Sequence, residues 1–449
     1  MSERSGPTLV ALAAAAAACG GGGSSGTAGV SITFGSATPF ATHVASFAPA
    51  GFTWGPPDGT LGAVANGDGT YTFFGAALGA ASASAAGPAC SGSPGVQGAY
   101  RFTGTLEEYG GLPAGGCRAV LAKGGAPSGW VFDADYAGGG SVLPFKSGAT
   151  DALLMTYHGE VHWKNPNGTP PTYFCNDVPC FYGGIGLAVS VDGGATFKSM
   201  GQIIQPYQPL SYYQGTSDNV GIGYGALVLA DGSGDFIESP PAPPSSAYLY
   251  VFYEDYLTPG APGAPSASAC VNAACVTVAR ARWDDVVAAV LPLATSSPTA
   301  VSGLFRKFDG SRGTWTQPAA SGDPTLDTAS GVPTPLFPDA NSYLPSVIWD
   351  TAAKSYLMVH QRYVGQAQPT QPTVFVFRSS TDLVHWSDPL ATFSPAAGHE
   401  PFYPTLVGET GNPLVGGGTP RLFFDTYPAG FPNWGTSELD SLPVQVTAR

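Results

Sequence analysis

Charge is what this chain has least of: 11% of its 449 residues are Asp, Glu, Lys or Arg. Only 17 are Lys or Arg against 31 Asp or Glu, a formal net charge of −14. So few cations cannot build the basic surface that neutralises phosphates, which argues against nucleic acid and anionic membrane surfaces as partners. Sustained helical periodicity is equally scarce. The one fair segment is WDDVVAAVL at 283–291, which predicts a helical insertion. Beyond the N-terminus no apolar run reaches the ~18 residues a membrane-spanning helix needs. The G-x-S-x-G elbow, the phosphate-binding loop and the dinucleotide fingerprint are absent, and with them the chemistries those motifs serve. Histidine numbers six, too few and too scattered to make zinc the first reading of the cysteines.

What is abundant is turn and strand chemistry. The chain holds 62 Gly and 42 Pro, and aromatics make up 12% of it. Many short strands joined by Gly/Pro turns produce this composition. Strand-like runs recur in a pattern. One half of the unit ends in an apolar, aromatic strand: ALLMTYHGEV (152–161), AYLYVFYEDYL (247–257), SYLMVHQRYV (355–364) and RLFFDTY (421–427). The other half is strand, polar turn and aromatic: GLAVSVDGGATF (186–197), VFVFRSSTDLVHW (374–386) and, more loosely, GLFRKFDGSRGTW (303–315). One four-stranded sheet per repeat is the mark of a propeller. Five units are expected, at about 53–125, 126–207, 218–318, 339–396 and 399–446. VSITF (30–34) is expected to complete the last unit and close the ring, removing an exposed edge. The predicted fold class is therefore all-β, one five-bladed β-propeller over 30–449, with a pair of β-sandwiches as the alternative.

The first residues read as an export signal at 1–18: Arg4, an apolar run from Leu9 to Ala18, then Cys19 after three small residues. This resembles the signal of bacterial lipoproteins, with Ala16 standing where such signals usually carry Leu. The resemblance implies lipidation at Cys19, a flexible tether at 19–29 and an extracytoplasmic protein held at a membrane by its lipid or secreted. An ordinary secretory peptide is the alternative. Six cysteines then remain of seven. In an exported chain they suggest disulfides, with Cys175/Cys180 and Cys270/Cys275 as local staples and Cys90 with Cys117.

A propeller gathers side chains that are far apart in sequence. Inner strands begin, and second strands end, on the face around the central funnel. Acids stand at both kinds of position. Asp133, Asp135, Asp218, Asp339 and Glu400 precede or open inner strands, while His158, Glu160, Glu254, Asp255, His360, Arg362 and Asp425 end second strands. Aromatics that could stack on sugars are Trp130, Tyr136, Trp163, Tyr224, Tyr343 and Tyr403, although blade packing accounts for each of them more readily. Each acid likewise has an ordinary reading as a solvated turn residue or loop cap.

Two turns carry family resemblances. SVDGGATF (190–197) matches the S-x-D-x-G-x-T-[WF] Asp box of propeller hairpins, which reports fold rather than chemistry. SSTDLVHW (379–386) resembles a turn of the five-bladed furanosidase-like glycoside hydrolases that include arabinanases, xylosidases and fructosidases. That resemblance spans about 126–430 and is diffuse. It implies a surface-anchored or secreted glycoside hydrolase with an Asp base, a second Asp that adjusts the acid and a Glu acid on another blade. Carried onto this chain, Asp133 or Asp135 is the base, Asp218 the adjuster and Glu400 the acid, with Glu160 as rival acid. His158, Trp163, Glu254, Tyr224, Tyr343, His360, Arg362, His399 and Tyr403 become substrate contacts. A monomer acting on carbohydrate, with no required cofactor, is implied; a structural or central calcium ion is the one ion left open. Two departures are plain: NPNG at 165–168 lacks the Asp of the fructosidase motif, and the acid motif is represented only by HEPF at 399–402. The alternatives are a non-catalytic propeller that binds glycans or proteins, and a sialidase-like enzyme. The second needs an arginine cluster, for which Arg280, Arg282, Arg362, Arg378 and Arg421 are available.

Overall fold

A computed structural model describes residues 29–42, 58–78, 97–113, 119–162, 174–175, 178–213, 220–238, 246–256, 274–292, 301–364, 373–395, 399–428 and 438–448. The export signal, Cys19, the tether, Trp163 and Asp218 lie outside these residues. So do the side chains of Cys90, Cys117, Cys175 and Cys270, on which the expected cysteine pairing depends.

The described strands form five antiparallel blades around one axis. The inner strands are Gly62–Ala65, Tyr136–Ser147, Ala226–Ala230, Ser342–Asp350 and His399–Val407. Each is followed by a second strand: Tyr71–Leu78, Thr150–His162, Tyr248–Tyr256, Ser355–Tyr363 and Arg421–Pro428. The second strands are the apolar runs seen in the sequence. They are continuous rather than alternating because both faces pack against neighbouring blades; Leu154, Met155, Val251, Phe252, Met358, Val359, Phe423 and Phe424 are all buried.

Ring closure follows the expected route. Val30–Phe34 is the outer strand of blade five, antiparallel to Glu438–Ala448, with Val30 opposite Ala448 and Phe34 opposite Val444. Ile32 is buried there, and the Phe34 ring packs against Phe377 and Phe393 of blade four. At the axis the inner strands are stitched side to side. The Leu61 amide donates to Thr405 Oγ1 at 2.9 Å, the Leu406 amide to Ser346 Oγ at 2.9 Å, and the Leu227 amide to Ser141 Oγ at 3.2 Å. Hydroxyls satisfy backbone groups that antiparallel pairing leaves open on this side.

The turn at 190–197 shows its local physics. Asp192 accepts from the Thr196 amide (3.0 Å), the Thr196 hydroxyl (2.7 Å) and the Ser190 hydroxyl (2.7 Å). Gly193 and Gly194 take φ values of 70° and 80°. Phe197 packs edge-on against Phe74 of blade one at 5.4 Å. Trp386, at the end of the 379–386 turn, meets Phe252 of blade three edge-on at 5.7 Å. In both turns an aromatic anchors the hairpin to the preceding blade in space or chain. The segment expected as a helical insertion is the α-helix Trp283–Val290, with Asp284 and Asp285 in its first turn, where they favour the helix dipole.

Candidate active site

Groups from four blades meet around Asp58, at the start of blade one. Asp58 Oδ2 lies 3.0 Å from the Tyr136 hydroxyl of blade two, and Oδ1 accepts from the Tyr403 hydroxyl of blade five at 3.2 Å. The Tyr224 hydroxyl, just before the inner strand of blade three, donates to the Asp58 carbonyl and stands 2.9 Å from the Tyr136 hydroxyl. Burial, and then the charge of Glu160, push Asp58 up to about 6 despite the pull of the tyrosine hydroxyls.

Glu160 ends the second strand of blade two and is clamped by two imidazoles. His158 Nε2 is 2.9 Å from Oε1 and His162 Nε2 is 2.8 Å from Oε2. Alternation along the strand puts His158, Glu160 and His162 on one face. Burial opposes ionisation here, but the two hydrogen bonds and the charge of His158 win, holding Glu160 down at about 2. Burial works against the His158 cation as well, and Glu160 overrides it, raising the imidazole above its usual range.

Glu254, at the end of the second strand of blade three, is buried and accepts from the Gly223 amide at 2.7 Å and the Leu344 amide at 3.1 Å. Burial lifts it to about 7. It thereby ties the entries of blades three and four together. Leu344 and Tyr403 take φ values of 52° and 57°, where the inner strands of blades four and five lose register against their partners. Left-handed backbone at a bulky residue is uncommon and clusters at functional sites. Here it delivers the Leu344 amide to Glu254 and accompanies the reach of Tyr403 to Asp58.

The residues expected from sequence divide accordingly. Glu160, His158, Tyr224 and Tyr403 belong to this group, and Glu254 joins its wall. Tyr136, read as a sugar-stacking ring, instead spends its hydroxyl on Asp58. Asp135 is half-buried beside it, accepting the His162 amide at 2.9 Å. Asp133 is placed elsewhere. It is fully buried in the packing of blade two, held by the Ala126 amide (3.0 Å) and the Tyr157 hydroxyl (3.1 Å). Glu400 and His399 open the inner strand of blade five, and no described hydrogen bond joins either to Asp58 or Glu160. Burial raises the Glu400 carboxyl. His360 is fully buried against Phe337, with ring centroids 4.9 Å apart. Burial and the nearby Arg378 drive it down to about 3, so it is neutral. Arg362 and Arg378 share Asp339. Tyr343 stands edge-on to Tyr363 at 5.2 Å. Arg280 lies over Tyr248 and Trp315, and Arg421 pairs with Glu107. These arginines are spent at separate places rather than gathered around Asp58.

Asp58 itself was not among the residues singled out from the sequence. GPPDGT at 55–60 reads as a Pro-Asp-Gly turn, and the first unit is the weakest repeat. The usable signal was positional, since Asp58 precedes the inner strand of blade one as Asp133 and Asp135 precede that of blade two. Among the described residues no group of three or more His, Cys, Asp and Glu is arranged to hold a metal ion.

No protein-family model matches the chain, and no curated protein matches it. Solved structures of similar arrangement include an α-L-arabinanase of Cellvibrio cellulosa complexed with arabinohexaose. It is 9% identical with a TM-score of 0.41, over 86% of this chain and 91% of that one. A glycosyl hydrolase of Bacteroides ovatus is 10% identical with a TM-score of 0.41, over 89% and 88%. An exo-β-1,3-galactanase of Clostridium thermocellum is 10% identical with a TM-score of 0.40, over 92% and 62%. Likeness at this level assigns no residue of this chain a role.

Proposed function

We propose that the funnel is the active site of a glycoside hydrolase, with Asp58 as proton donor and Glu160 as a fixed anion beside the scissile bond. One observation carries this. Two carboxyls from different blades lie within reach of each other's charge, and their surroundings push them to opposite sides of the ordinary carboxyl range, Asp58 to about 6 and Glu160 to about 2. Such a split is what acid catalysis at a glycosidic bond requires. Asp58 gives its proton to the departing sugar oxygen as the bond to the anomeric carbon breaks. Glu160 stabilises the positive charge left on the ring. Water then adds to that carbon, and its proton goes to the Asp58 carboxylate, restoring the acid. With Asp58 protonated and the Glu160 charge met by His158, these three side chains are together uncharged, which suits a neutral sugar.

The test is a panel of arabinan, xylan, fructan and synthetic furanosides, with Asp58→Asn beside the wild type. Cleavage of one substrate, reduced about 10²–10⁴-fold by the substitution, supports the assignment. Activity should also decline as pH rises through about 6, where Asp58 loses its proton. Cleavage unaffected by Asp58→Asn overturns it.

A second reading is a glycan-binding propeller without catalysis. The observation in its favour is that both oxygens of Asp58, Glu160 and Glu254 already have partners within the protein. Calorimetric binding of an intact oligosaccharide that the protein never cleaves would select it. Export and lipidation at Cys19 complete the proposal. Labelled fatty acid incorporated by the wild type and not by Cys19→Ala in a bacterial host is the expected result.

A further inference from the structure

Two inner strands enter the ring in the same way. Tyr343-Leu344-Pro345-Ser346 of blade four and Phe402-Tyr403-Pro404-Thr405 of blade five share one pattern: an aromatic, a bulky residue, proline and a hydroxyl. Register against the second strand shifts across each, between Tyr343 and Ser346 and between Phe402 and Thr405. The hydroxyls do the same job, Ser346 accepting the Leu406 amide and Thr405 the Leu61 amide. The bulky residues share left-handed backbone, with φ 52° at Leu344 and 57° at Tyr403. A side chain beyond Cβ strains that conformation, and a following proline favours extended backbone instead. Contacts from outside the four residues have to hold it.

The holder comes from the preceding blade both times. Glu254 Oε2 accepts the Leu344 amide at 3.1 Å, and Gln361 Oε1 accepts the Tyr403 amide at 3.3 Å. The two acceptors occupy one place on their strands. Glu254 stands two residues past Phe252, which is opposite Ala226, and Gln361 two past Val359, which is opposite Ser346. Ala226 and Ser346 both line the axial cavity. Glu254 and Gln361 are both buried. The Tyr363 hydroxyl is a second side-chain partner of Gln361. What the two held residues do next differs. Leu344 carries no polar side-chain atom, so its contact serves the fold. The Tyr403 hydroxyl goes on to Asp58 Oδ1 at 3.2 Å.

We propose that Gln361 is a positioning residue, which keeps the Tyr403 hydroxyl on Asp58 by holding the strained Tyr403 backbone through its amide. The inference deepens the hydrolase reading and rests on it for its catalytic consequence, since a donor on Oδ1 tunes the proton that Asp58 gives up. The hold itself stands on geometry and on its repetition in blade four. Other groups also face Asp58. Tyr136 and Glu160 come from blade two with His158, Tyr224 from blade three, and Asp425 and Tyr427 from blade five. Gln361 touches none of the Asp58 atoms, so it reaches this carboxyl through Tyr403.

The test is a double-variant cycle read at Asp58. Gln361→Met is close in size and lacks the acceptor. Tyr403→Phe removes the hydroxyl. Carbon NMR of the full chain labelled at Asp carboxyl carbons gives the titration, with Asp58 assigned by its loss in Asp58→Asn. The Tyr403 hydrogen bond favours the carboxylate, so each single variant should raise the Asp58 midpoint, by about one pH unit, the worth of one hydrogen bond. The double variant should rise no further than Tyr403→Phe alone, because both changes remove the same contact. A merely structural role for Gln361 predicts otherwise. An unchanged midpoint in Gln361→Met, or shifts that add in the double variant, overturn the proposal. Should Gln361→Met fail to fold, wild type supplies the check through hydrogen exchange. A Tyr403 amide as protected as that of Leu344 supports the hold, and exchange at the rate of an open peptide overturns it. No glycan enters either measurement. If the panel above yields a substrate, the descending limb of its pH profile should move up in Gln361→Met together with the midpoint. A midpoint that moves while no substrate is cleaved supports the hold and counts against the hydrolase reading alone.

Discussion

His158 places Nδ1 2.8 Å from the Ile222 carbonyl oxygen and Nε2 2.9 Å from Glu160 Oε1. A neutral imidazole has one N–H, so both contacts are hydrogen bonds only when the ring carries two protons. The pair is thus a buried ion pair whose cation also fastens blade two to the entry of blade three. This holds Glu160 as an anion down to about 2. The sequence expectation of Glu160 as an acid and the geometry around it point to different roles, and the imidazoles are the reason.

Substituting His158→Ala should cost about 1–3 kcal/mol in urea unfolding at pH 5.5, because it takes from the buried Glu160 carboxylate one of the two imidazoles that hold it. The cost should depend on pH. Glu160 is lowered from 4.5 to about 2 in the fold, so its contribution is present above 4.5 and is lost as pH falls through about 2. His158 is raised above 6.5, so its contribution is complete below 6.5 and is lost as pH rises through the folded value. The gap between wild type and variant should peak between 4.5 and 6.5, and a gap independent of pH would contradict the ion pair.

Lys307 and Asp255 form a second buried pair, at 2.9 Å, away from the funnel. The ammonium also donates to the Gln205 carbonyl and the Ser330 hydroxyl, both at 2.9 Å. Lys307→Met should destabilise by about 3–5 kcal/mol, and adding Asp255→Leu should recover part of that loss, since a buried carboxylate that has lost its cation is what costs most. Chemical unfolding of the single and double variants measures both. A double variant weaker than the single one would show that Asp255 is needed for more than this cation.

Neighbouring glycines in the 190–197 turn should respond differently to alanine. Gly193 has φ 70° and open space around it, so Gly193→Ala should cost about 1 kcal/mol from backbone strain alone. Gly194 has φ 80°, and a Cβ there would meet the Phe74 ring at 2.6 Å. Gly194→Ala should therefore cost clearly more, about 2–3 kcal/mol, and should loosen the Phe74–Phe197 contact. Equal melting temperatures for the two variants would refute the steric account.

The outer strand Val30–Phe34 makes blade five complete, so it should control the cooperativity of the whole ring. Ile32→Ala should lower stability by about 2–4 kcal/mol. Deleting residues 30–34 should broaden thermal unfolding into separable steps and expose the edge of Glu438–Ala448 to association. Retention of one sharp transition after the deletion would mean the ring does not depend on this closure.

The sequence alone determined the class of the fold, the five repeats and the closing strand. These rest on local information: apolar runs of strand length, turn residues at fixed offsets and an aromatic after each polar turn. It also brought forward Glu160, His158, Tyr224 and Tyr403, because strand ends in a propeller face one funnel. Tertiary structure decided the rest. Whether a carboxyl near a strand start enters the funnel or the blade packing depends on a residue or two of register, which separates Asp133 from Asp135. Asp58 looked like a turn residue until Tyr136, Tyr224 and Tyr403 converged on it from three other blades. The shifted titration of Asp58, and the charge on Glu160, are set by neighbours as far as 345 positions away in the chain, and only ring closure brings such neighbours within hydrogen-bonding distance.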